Sequence, residues 1–567
     1  MDTPQNTEKL YRKTIYMTLS YYYLTKNMSG GEKFKEEEKI SRRAAVSAAA
    51  KVAGAAAAGL VIGGVAGYLL KPEAPPTVTT VREVVTSTVR EVVTSTVVRT
   101  QTVTAAPTPA APGLAELRRE LAQRYATARP GDKFLVGYVT WTLAQEAPKY
   151  DYQGADQAAR QLGLDFKGIE IGAEALKAVE ATDSLIAAGA KGIVYWAPAI
   201  AAMKEIVRIC EQNRVFAATS WTRDPELLPG DKGPYWFLEF STMSDEMSFH
   251  CMTLLFEKMK KYNRSKVLHT QSSKTIAPDS TALINQGISI AWRRYPFIQL
   301  LGHYWGEWSY PGGRKAGEDA LAVRTDYEAV WGHNDDQAMG TVSVFKERGI
   351  NIGPFAAARD AIVAALEEIV KGDWFITSLT EFQYFGGKRV ADTYDAVTGA
   401  SYPLRDEMVQ SPWVTTVLNL STPGIKEENE ELIKSSGLIW HPNFVTVDAA
   451  ALLDFAKISE VYPTKEYPYD FRTLSVGKVR ELNLTYDRHA KNYLTANNFY
   501  YVPLMRRMKV SEDRTRGQNL ESFRRQFALT MKYFLDLNWD TFSDNEAKIR
   551  SAEAEGLKLE PFWGALD

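Results

Sequence analysis

The pattern of apolar and polar positions from Asp132 onward alternates between two kinds of segment. Short apolar runs such as KFLVGYVTW, LDFKGIEIG and AKGIVYWAP are typical of buried strands, and they break into turn residues. Between them lie segments such as EALKAVEATDSLIAAG, in which apolar residues recur at the spacing of an amphipathic helix. This alternation predicts βαβ units, with a parallel sheet and helices on both of its faces.

The same alternation begins again after the segment that ends in KMKKY. The second set of apolar runs is SKVLHTQSS, FIQLLGHYWGEW and DYEAVWG. Two successive sheets predict two lobes, and a cleft between lobes is a common ligand site. The prediction is therefore an α/β fold of two doubly wound parallel sheets joined by a hinge. It places lobe 1 at 114–241, lobe 2 at 242–380, a return to lobe 1 and the hinge at 381–470, and a helical extension at 471–567.

The amino-terminal part contains an Ala- and Gly-rich stretch without charge, from Val52 to Leu70. This stretch is long enough to cross the hydrocarbon core of a bilayer as a helix. Arg42 and Arg43 precede it and are similar to part of a twin-arginine export signal. No A-x-A cleavage site follows, so we predict a retained transmembrane anchor at 41–71.

The residues before the anchor, 1–40, are predicted to form a cytoplasmic tail, because Lys and Arg mark the inner side of a span. Met28 is an alternative start of the chain. Residues 72–113 after the anchor are rich in Thr, Ser, Val and Pro, and REVVTSTV occurs twice in succession. Such composition predicts an extended stalk that separates the anchor from an external module. A short β-rich or coiled segment that self-associates is the alternative.

Composition narrows the classes of function. The chain has 567 residues, 45% hydrophobic and 24% charged, with a net charge of −2, so no basic footprint indicates nucleic acid. Two cysteines, Cys210 and Cys251, are too few for a disulfide scaffold or a dense metal site. We find no HExxH or CxxC motif and expect neither a metal nor a cofactor.

The most informative polar residues follow the apolar run YEAVW and precede a helical segment: Asn334, Asp335 and Asp336. Asn and Asp accept hydrogen bonds from the free N–H groups of a helix's first turn, so capping explains one of them. In open α/β sheets, ligands bind beyond the carboxyl ends of the strands. The triplet therefore also indicates side chains that face a ligand.

With these elements in order, the module resembles the type I periplasmic binding proteins, the sugar-binding receptors of ABC importers related to the ribose and galactose receptors. AVWGHNDDQAMGTVSVFKERG is similar to the strand, Asn-Asp and helix signature of that family. RVFAATSWTR looks like the strand that ends in its ligand-binding Arg, and RDAIVAALEEIVKGDW like the segment after its cleft Asp. The resemblance covers residues 132–390.

The resemblance implies that Asn334 and Asp335 face the ligand and that Asp336 caps the helix. It also implies that Arg223 and Asp360 bind solute hydroxyls from opposite lobes. Asn, Asp and Arg supply the paired donors and acceptors that sugar hydroxyls require. The alternative for Asp360 is a structural ion pair with the neighbouring Arg359.

Further candidates lie at the ends of strands in the first lobe. Trp141, Trp196 and Trp221 end three apolar runs, where indole rings can cover the C–H faces of a sugar ring. Gln145 follows the first strand, and either Glu381 or Gln383 falls near the hinge return, where the family places polar contacts.

One departure from the family leaves the ligand open. The family usually has an Arg three positions before the Gly in the first helix of the second lobe, and here that position is Ile284. Asn285 is adjacent and is the candidate substitute. An oligosaccharide or a modified nucleoside therefore remains an alternative to a simple sugar.

These patterns predict a membrane-anchored receptor outside the cell, which captures a sugar-like solute and passes it to the permease and ATPase subunits of an ABC importer. The prediction includes no catalysis. A sensor of the same fold that reports the ligand to a signalling partner is the first alternative. A glycan-processing enzyme is the second, and it would need paired carboxylates such as Asp335 and Asp360.

Overall fold

The computed structural model describes residues 79–85, 97–103, 114–172, 174–242, 244–405, 408–410, 416–420, 422–438, 444, 446–456, 470–473 and 520–559. The predicted cytoplasmic tail and the predicted anchor lie outside these ranges. Within the described ranges, no helix is long and apolar enough to cross a membrane.

Two strands within the predicted stalk form a hairpin. Strand β1 (Thr79–Val85) pairs antiparallel with β2 (Val97–Val103), in a register that aligns Val85 with Val97. Thr and Val are β-branched, and such residues favour extended strands over helices. The hairpin and the elements from residue 114 onward belong to two separate units of the chain.

The second unit contains the remaining elements. Its strands are β3 (Leu135–Thr140), β4 (Asp165–Glu170), β5 (Ala190–Trp196), β6 (Phe216–Ser220), β7 (Trp236–Phe240), β8 (Lys266–Gln271), β9 (Gln299–Trp305), β10 (Ala329–Gly332), β11 (Ala356–Ala357), β12 (Thr377–Ser378), β13 (Val409–Gln410), β14 (Thr416–Leu418) and β15 (Thr446–Asp448). Its helices are α1 (Leu114–Tyr125), α2 (Glu146–Gln161), α3 (Ala175–Ala187), α4 (Ile200–Asn213), α5 (Ser244–Lys261), α6 (Pro278–Arg293), α7 (Tyr310–Val323), α8 (Asp335–Glu347), α9 (Val363–Lys371), α10 (Phe382–Thr398), α11 (Ile425–Ser435), α12 (Ala449–Ala456), α13 (Leu520–Phe534) and α14 (Phe542–Ala554).

The first lobe is a six-stranded sheet in the order β13-β7-β6-β5-β3-β4, and every neighbouring pair is parallel. Successive residues of a strand point to opposite faces, so Tyr138 packs in the core beneath α2 and α10, and Val139 in the core beneath α3 and α4. Both faces are therefore covered, as the unbroken apolar runs predict.

The second lobe contains the parallel sheet β11-β10-β8-β9. A parallel bridge between Ala357 and Ile376 continues this sheet towards β12, which pairs with β14, and β14 in turn pairs with β15. The chain passes between the lobes after β7, before α10 and after β13. Two parallel sheets in two lobes confirm the predicted α/β architecture.

One expectation for the segment 381–470 is corrected by this pairing. The sequence predicts that 381–470, which contains the runs SPWVTTVLNL and HPNFVTVDAAALLDF, returns to the first lobe and the hinge. Helix α10 and strand β13 do belong to the first lobe, whereas β14 and β15 extend the sheet of the second lobe through β12. The segment that leads into β12 pairs with the edge of the second sheet, where the backbone N–H of Ala358 donates to the carbonyl oxygen of Ile376 at 3.2 Å, and β14 then pairs with β12.

The return helix α10 is fixed to α2 by close backbone contact and by a buried ion pair. A Cβ on Gly154 would lie 1.8 Å from the carbonyl oxygen of Gln383, and one on Gly386 would lie 1.9 Å from that of Asp151. Arg389 donates hydrogen bonds to Asp151 and to Ser220 Oγ, the latter at 2.8 Å. Tyr138 donates to the same carboxylate at 2.6 Å, so the first lobe has a polar network in its core.

Candidate functional site

A cavity of about 460 Å³, which includes space open to solvent, lies between the two lobes at the carboxyl ends of the strands. Its position is the one expected for ligands of open α/β sheets. The first lobe contributes Trp141, Gln145, Ala147, Pro148, Trp196, Ala197, Trp221 and Phe382. The second lobe contributes Ile276, Ala277, Ser280, Trp308, Asn334, Arg359 and Asp360. Most of the lining is aromatic or aliphatic.

The three tryptophans predicted from the first lobe all line this cavity. Trp196 and Trp221 pack against each other with ring centroids 4.6 Å apart, and Phe382 packs on Trp196 at 5.3 Å. The indole Nε1 atoms of Trp141 and Trp196 are buried without a hydrogen-bond partner in the described part of the chain. A buried indole N–H normally finds an acceptor, so both atoms indicate an acceptor that a ligand would supply.

A fourth tryptophan, Trp308, covers the cavity from the second lobe, and sequence reasoning missed it. Its indole Nε1 donates to the carbonyl oxygen of Ile276 at 2.8 Å. Its own carbonyl oxygen accepts from Gln145 Nε2 at 3.3 Å and from Asn334 Nδ2 at 3.1 Å. Because Gln145 lies in the first lobe, the turn that carries Trp308 is held from both sides. The aromatic end of FIQLLGHYWGEW was the available signal.

Asn334 and Asp335 have different roles in the structure. Asn334 lines the cavity and also caps α8, because its Oδ1 accepts from the backbone N–H of Gln337 at 3.1 Å. Asp335 is buried and does not line the cavity. Its carboxylate accepts from Thr377 Oγ1 at 2.7 Å and from the backbone N–H of Ile362 at 3.1 Å. The expectation that Asp335 faces the ligand and that Asp336 is the cap is therefore corrected.

The charged pair that does line the cavity is Arg359 and Asp360. Arg359 Nη2 lies 3.8 Å from Asp360 Oδ1, so the alternative pairing considered from sequence is present, yet both side chains still face the cavity. Within the described residues, nothing accepts a hydrogen bond from Arg359 Nε or Nη1, although both atoms are buried. Burial raises the pKa of Asp360 to about 6, against the lowering effect of Arg359.

The other two predicted polar residues lie outside the lining. Arg223 is buried and donates from Nε to Glu239 Oε2 at 2.7 Å, because the carboxylate on β7 needs a cation in the core. Its expected role in binding hydroxyls is corrected to an ion pair behind the cavity wall. Glu381 and its alternative Gln383 are both buried and do not line the cavity, whereas Phe382 between them does.

Acidic groups crowd the cleft beneath its lining. Burial, with Asp360 as the second cause, raises the pKa of Asp335 well above its usual value. Burial also raises the pKa of Asp336 to about 7, with further contributions from Asp360 and Glu146. The carboxylate of Glu146 in the first lobe accepts from the backbone N–H of Val363 in the second lobe at 2.7 Å. The two lobes are thus in contact beside the cavity.

Backbone strain is concentrated at the cavity. Nine non-glycine residues in the described part of the chain have positive φ, and five of them line it: Ala197, Trp221, Ala277, Trp308 and Asp360. Glu307 and Ala361 adjoin two of these. Positive φ is costly for residues with a Cβ and clusters where function requires a particular side-chain direction. The strain therefore marks this cavity independently of its residue types.

No protein-family model matches the chain, and no curated protein matches it. Among solved structures, it is similar to a twin-arginine translocation pathway signal protein from Burkholderia phytofirmans, with 17% identity, a TM-score of 0.47, and coverage of 54% of this chain and 94% of that one. It is also similar to an ABC transporter periplasmic solute binding protein from Actinobacillus succinogenes with bound D-allose. There the identity is 15%, the TM-score 0.46, and the coverage 52% of this chain and 99% of that one.

A third similar structure is a glucose-galactose binding protein from Geobacillus stearothermophilus, with 18% identity, a TM-score of 0.44, and coverage of 52% of this chain and 99% of that one.

Proposed function

We propose that this protein is an extracytoplasmic solute-binding receptor that encloses a sugar-like solute between its two lobes. Closure of the lobes around the solute presents a surface that an ABC permease with its ATPase subunits recognises, and the solute is released unchanged. The segment 41–71 anchors the receptor in the membrane, and 72–113 holds the binding module away from it. The receptor has no catalytic step of its own.

One observation carries this proposal: an interlobe cavity whose walls are four indole rings and whose buried donors lack acceptors. Trp141 and Trp196 each contribute one unpartnered N–H, and Arg359 contributes two nitrogens. Leaving such groups unpaired costs free energy, about 1–3 kcal/mol each and more for charged groups. A solute that carries oxygen acceptors and presents apolar C–H faces to the rings would remove that cost. Asp360 would accept from a hydroxyl of the same solute.

A tryptophan fluorescence titration tests the proposal. The full-length chain in mild detergent is titrated with a panel of monosaccharides, disaccharides and nucleosides. We expect saturable quenching by one class of compound, because four of the 13 tryptophans line the cavity. A Trp308→Ala variant should lose most of that signal. If the folded wild-type protein shows no change in fluorescence with any compound of the panel, the protein is not a receptor for sugar-like solutes.

The binding of the solute is expected to depend on pH through Asp360. The carboxylate accepts a hydroxyl hydrogen only while it is ionised, and its pKa is about 6. Affinity should therefore be constant above pH 7 and fall about tenfold for each pH unit below 6. Titration with the first compound that binds, from pH 4.5 to 8, measures this profile. The Asp360→Asn variant should bind the solute more weakly, with an affinity that does not change with pH. If its affinity still falls below pH 6, the titrating group is not Asp360.

A further inference from the structure

Helix α13 in the carboxyl-terminal extension contacts both lobes. Its first half lies on the first lobe, where Arg524 Nη2 binds the carboxylate of Asp231 at 2.8 Å and Nη1 donates to the carbonyl oxygen of Pro225 at 2.9 Å. Leu520 is buried in a small apolar cluster with Leu228 and Val409 of the same lobe. This end of the helix therefore contacts the first lobe through the guanidinium of Arg524, through a small apolar cluster, and through the ring of Phe523, which lies 5.9 Å from the guanidinium carbon of Arg223.

The second half of α13 and the residues after it are attached to the second lobe by buried polar contacts. Thr530 Oγ1 donates to Gln286 Oε1 at 2.6 Å, and Asn285 Nδ2 donates to the carbonyl oxygen of Phe534 at 2.9 Å. The side-chain amide of Gln271 pairs with the backbone of Leu537 in both directions, at 2.8 and 3.0 Å. Asn285, which the sequence suggested as a ligand contact, thus holds the extension instead.

A row of three histidines, of which His269 and His333 are buried and His303 is partly buried, adds a further attachment between the second lobe and the extension. His333 contacts His269 through their Nε2 atoms at 2.9 Å, and His269 contacts His303 through their Nδ1 atoms at 3.0 Å. His333 Nδ1 accepts from the backbone N–H of Ser272 at 3.3 Å, and His303 Nε2 faces the carbonyl oxygen of Trp539 at 3.1 Å. With neutral rings, each contact then has one donor and one acceptor. Burial lowers the pKa of His269 and His333, which keeps these rings neutral.

These two attachments differ in strength. The second lobe holds the extension through buried hydrogen bonds whose loss would leave polar groups unpaired, at about 1–3 kcal/mol each. The first lobe holds it through Arg524, which lies at a partly exposed position and binds Asp231 and the carbonyl oxygen of Pro225, through a small apolar cluster, and through the ring of Phe523 against Arg223. When the lobes separate, the contact with the first lobe is therefore the one that breaks.

We propose that α13 is an interlobe clamp. The extension stays with the second lobe, and the contact of Arg524 with Asp231 stabilises the closed arrangement of the two lobes. The clamp thereby shifts the equilibrium between open and closed forms before any solute arrives. This inference goes beyond the proposed function, because a clamp acts on the lobes whether or not the cavity holds a solute.

The test measures the distance between the lobes in the full-length chain without added solute. Leu176 on α3 and Val323 on α7 are exposed, and the native Cys210 and Cys251 are buried, so cysteines placed at the two exposed positions can be labelled selectively with nitroxides. Pulsed electron paramagnetic resonance then gives the distribution of interlobe distances. Arg524→Ala removes the charged contact of the clamp with the first lobe and leaves the apolar cluster of Leu520 in place.

We expect Arg524→Ala to raise the ratio of open to closed molecules at least fivefold, seen as a second population at longer distance. Asp231→Asn should do the same. The matched control is Lys274→Ala, which removes an ion pair between the same extension and the second lobe only, with Asp536, and should leave the distribution unchanged. Equal distributions in the wild type, Arg524→Ala and Asp231→Asn, with unchanged circular dichroism, would overturn the clamp. The same opening in Lys274→Ala would also overturn it, because it would assign the effect to the extension as a whole.

Discussion

Replacing Arg359 with methionine is expected to weaken solute binding more than 100-fold and to leave the fold intact. Arg359 lines the cavity, and its Nε and Nη1 atoms are buried without an acceptor in the described part of the chain. Each charge-assisted hydrogen bond to a solute contributes about 1.5–3 kcal/mol, and 100-fold corresponds to about 2.7 kcal/mol. Arg359 Nη2 lies 3.8 Å from Asp360, whereas Arg223 lies 2.7 Å from Glu239, so the melting temperature should fall less in Arg359→Met than in Arg223→Met. Asp360 becomes neutral as its pKa rises.

Arg223 provides the matched control, because it is a buried arginine behind the same cavity. It is paired with Glu239 in the core, and both side chains are almost fully buried. Arg223→Met leaves that carboxylate without its cation and should destabilise the protein by about 3–5 kcal/mol. Fluorescence titration and urea unfolding of both variants measure the two effects. Wild-type affinity in Arg359→Met would show that the solute does not contact this group.

A large effect on stability is also expected from Arg389→Met. Arg389 is fully buried and joins Asp151 on α2 to Ser220 at the end of β6. Burial already raises the pKa of Asp151 to about 6, although Arg389 and Tyr138 lower it. Without the cation, the carboxylate is left unpaired in the core, at a cost of about 3–5 kcal/mol.

The loss of stability in Arg389→Met is expected to increase with pH. A carboxyl whose pKa is higher in the folded than in the unfolded state destabilises the fold increasingly as the pH rises between the two values. Arg389→Met should therefore lose more stability at pH 8 than at pH 5, measured by urea unfolding. Adding Asp151→Asn should restore part of the loss at pH 8. Equal destabilisation at both pH values would show that packing, and not the unpaired charge, sets the cost.

The sequence predicted the aromatic wall of the first lobe because Trp141, Trp196 and Trp221 stand where apolar runs end. In a parallel sheet, such ends meet at one edge, and this geometry needs no knowledge of long-range contacts. Trp308 was not predicted, because the direction of its side chain depends on a turn in which two successive non-glycine residues, Glu307 and Trp308, have positive φ. No local sequence pattern predicts such a strained turn.

The polar residues were harder to assign, because a side chain at a strand end can face the cavity or the core. Arg223 and Arg359 both follow apolar strand-like runs, and only one faces the cavity. Glu239, distant in sequence from Arg223, decides the outcome by pairing with it in the core. Asp335 is likewise held by Thr377. The position of β14 and β15 in the second lobe is likewise decided by a distant segment, because β14 pairs with β12 and β15 pairs with β14.

A crystal structure of the protein with the first compound that binds would show directly where the solute lies. We expect electron density for the solute between the lobes, in contact with Trp308 and within hydrogen-bond distance of Arg359 and Asp360. Density for the compound at any other place, with the cavity between the lobes left without it, would contradict the account.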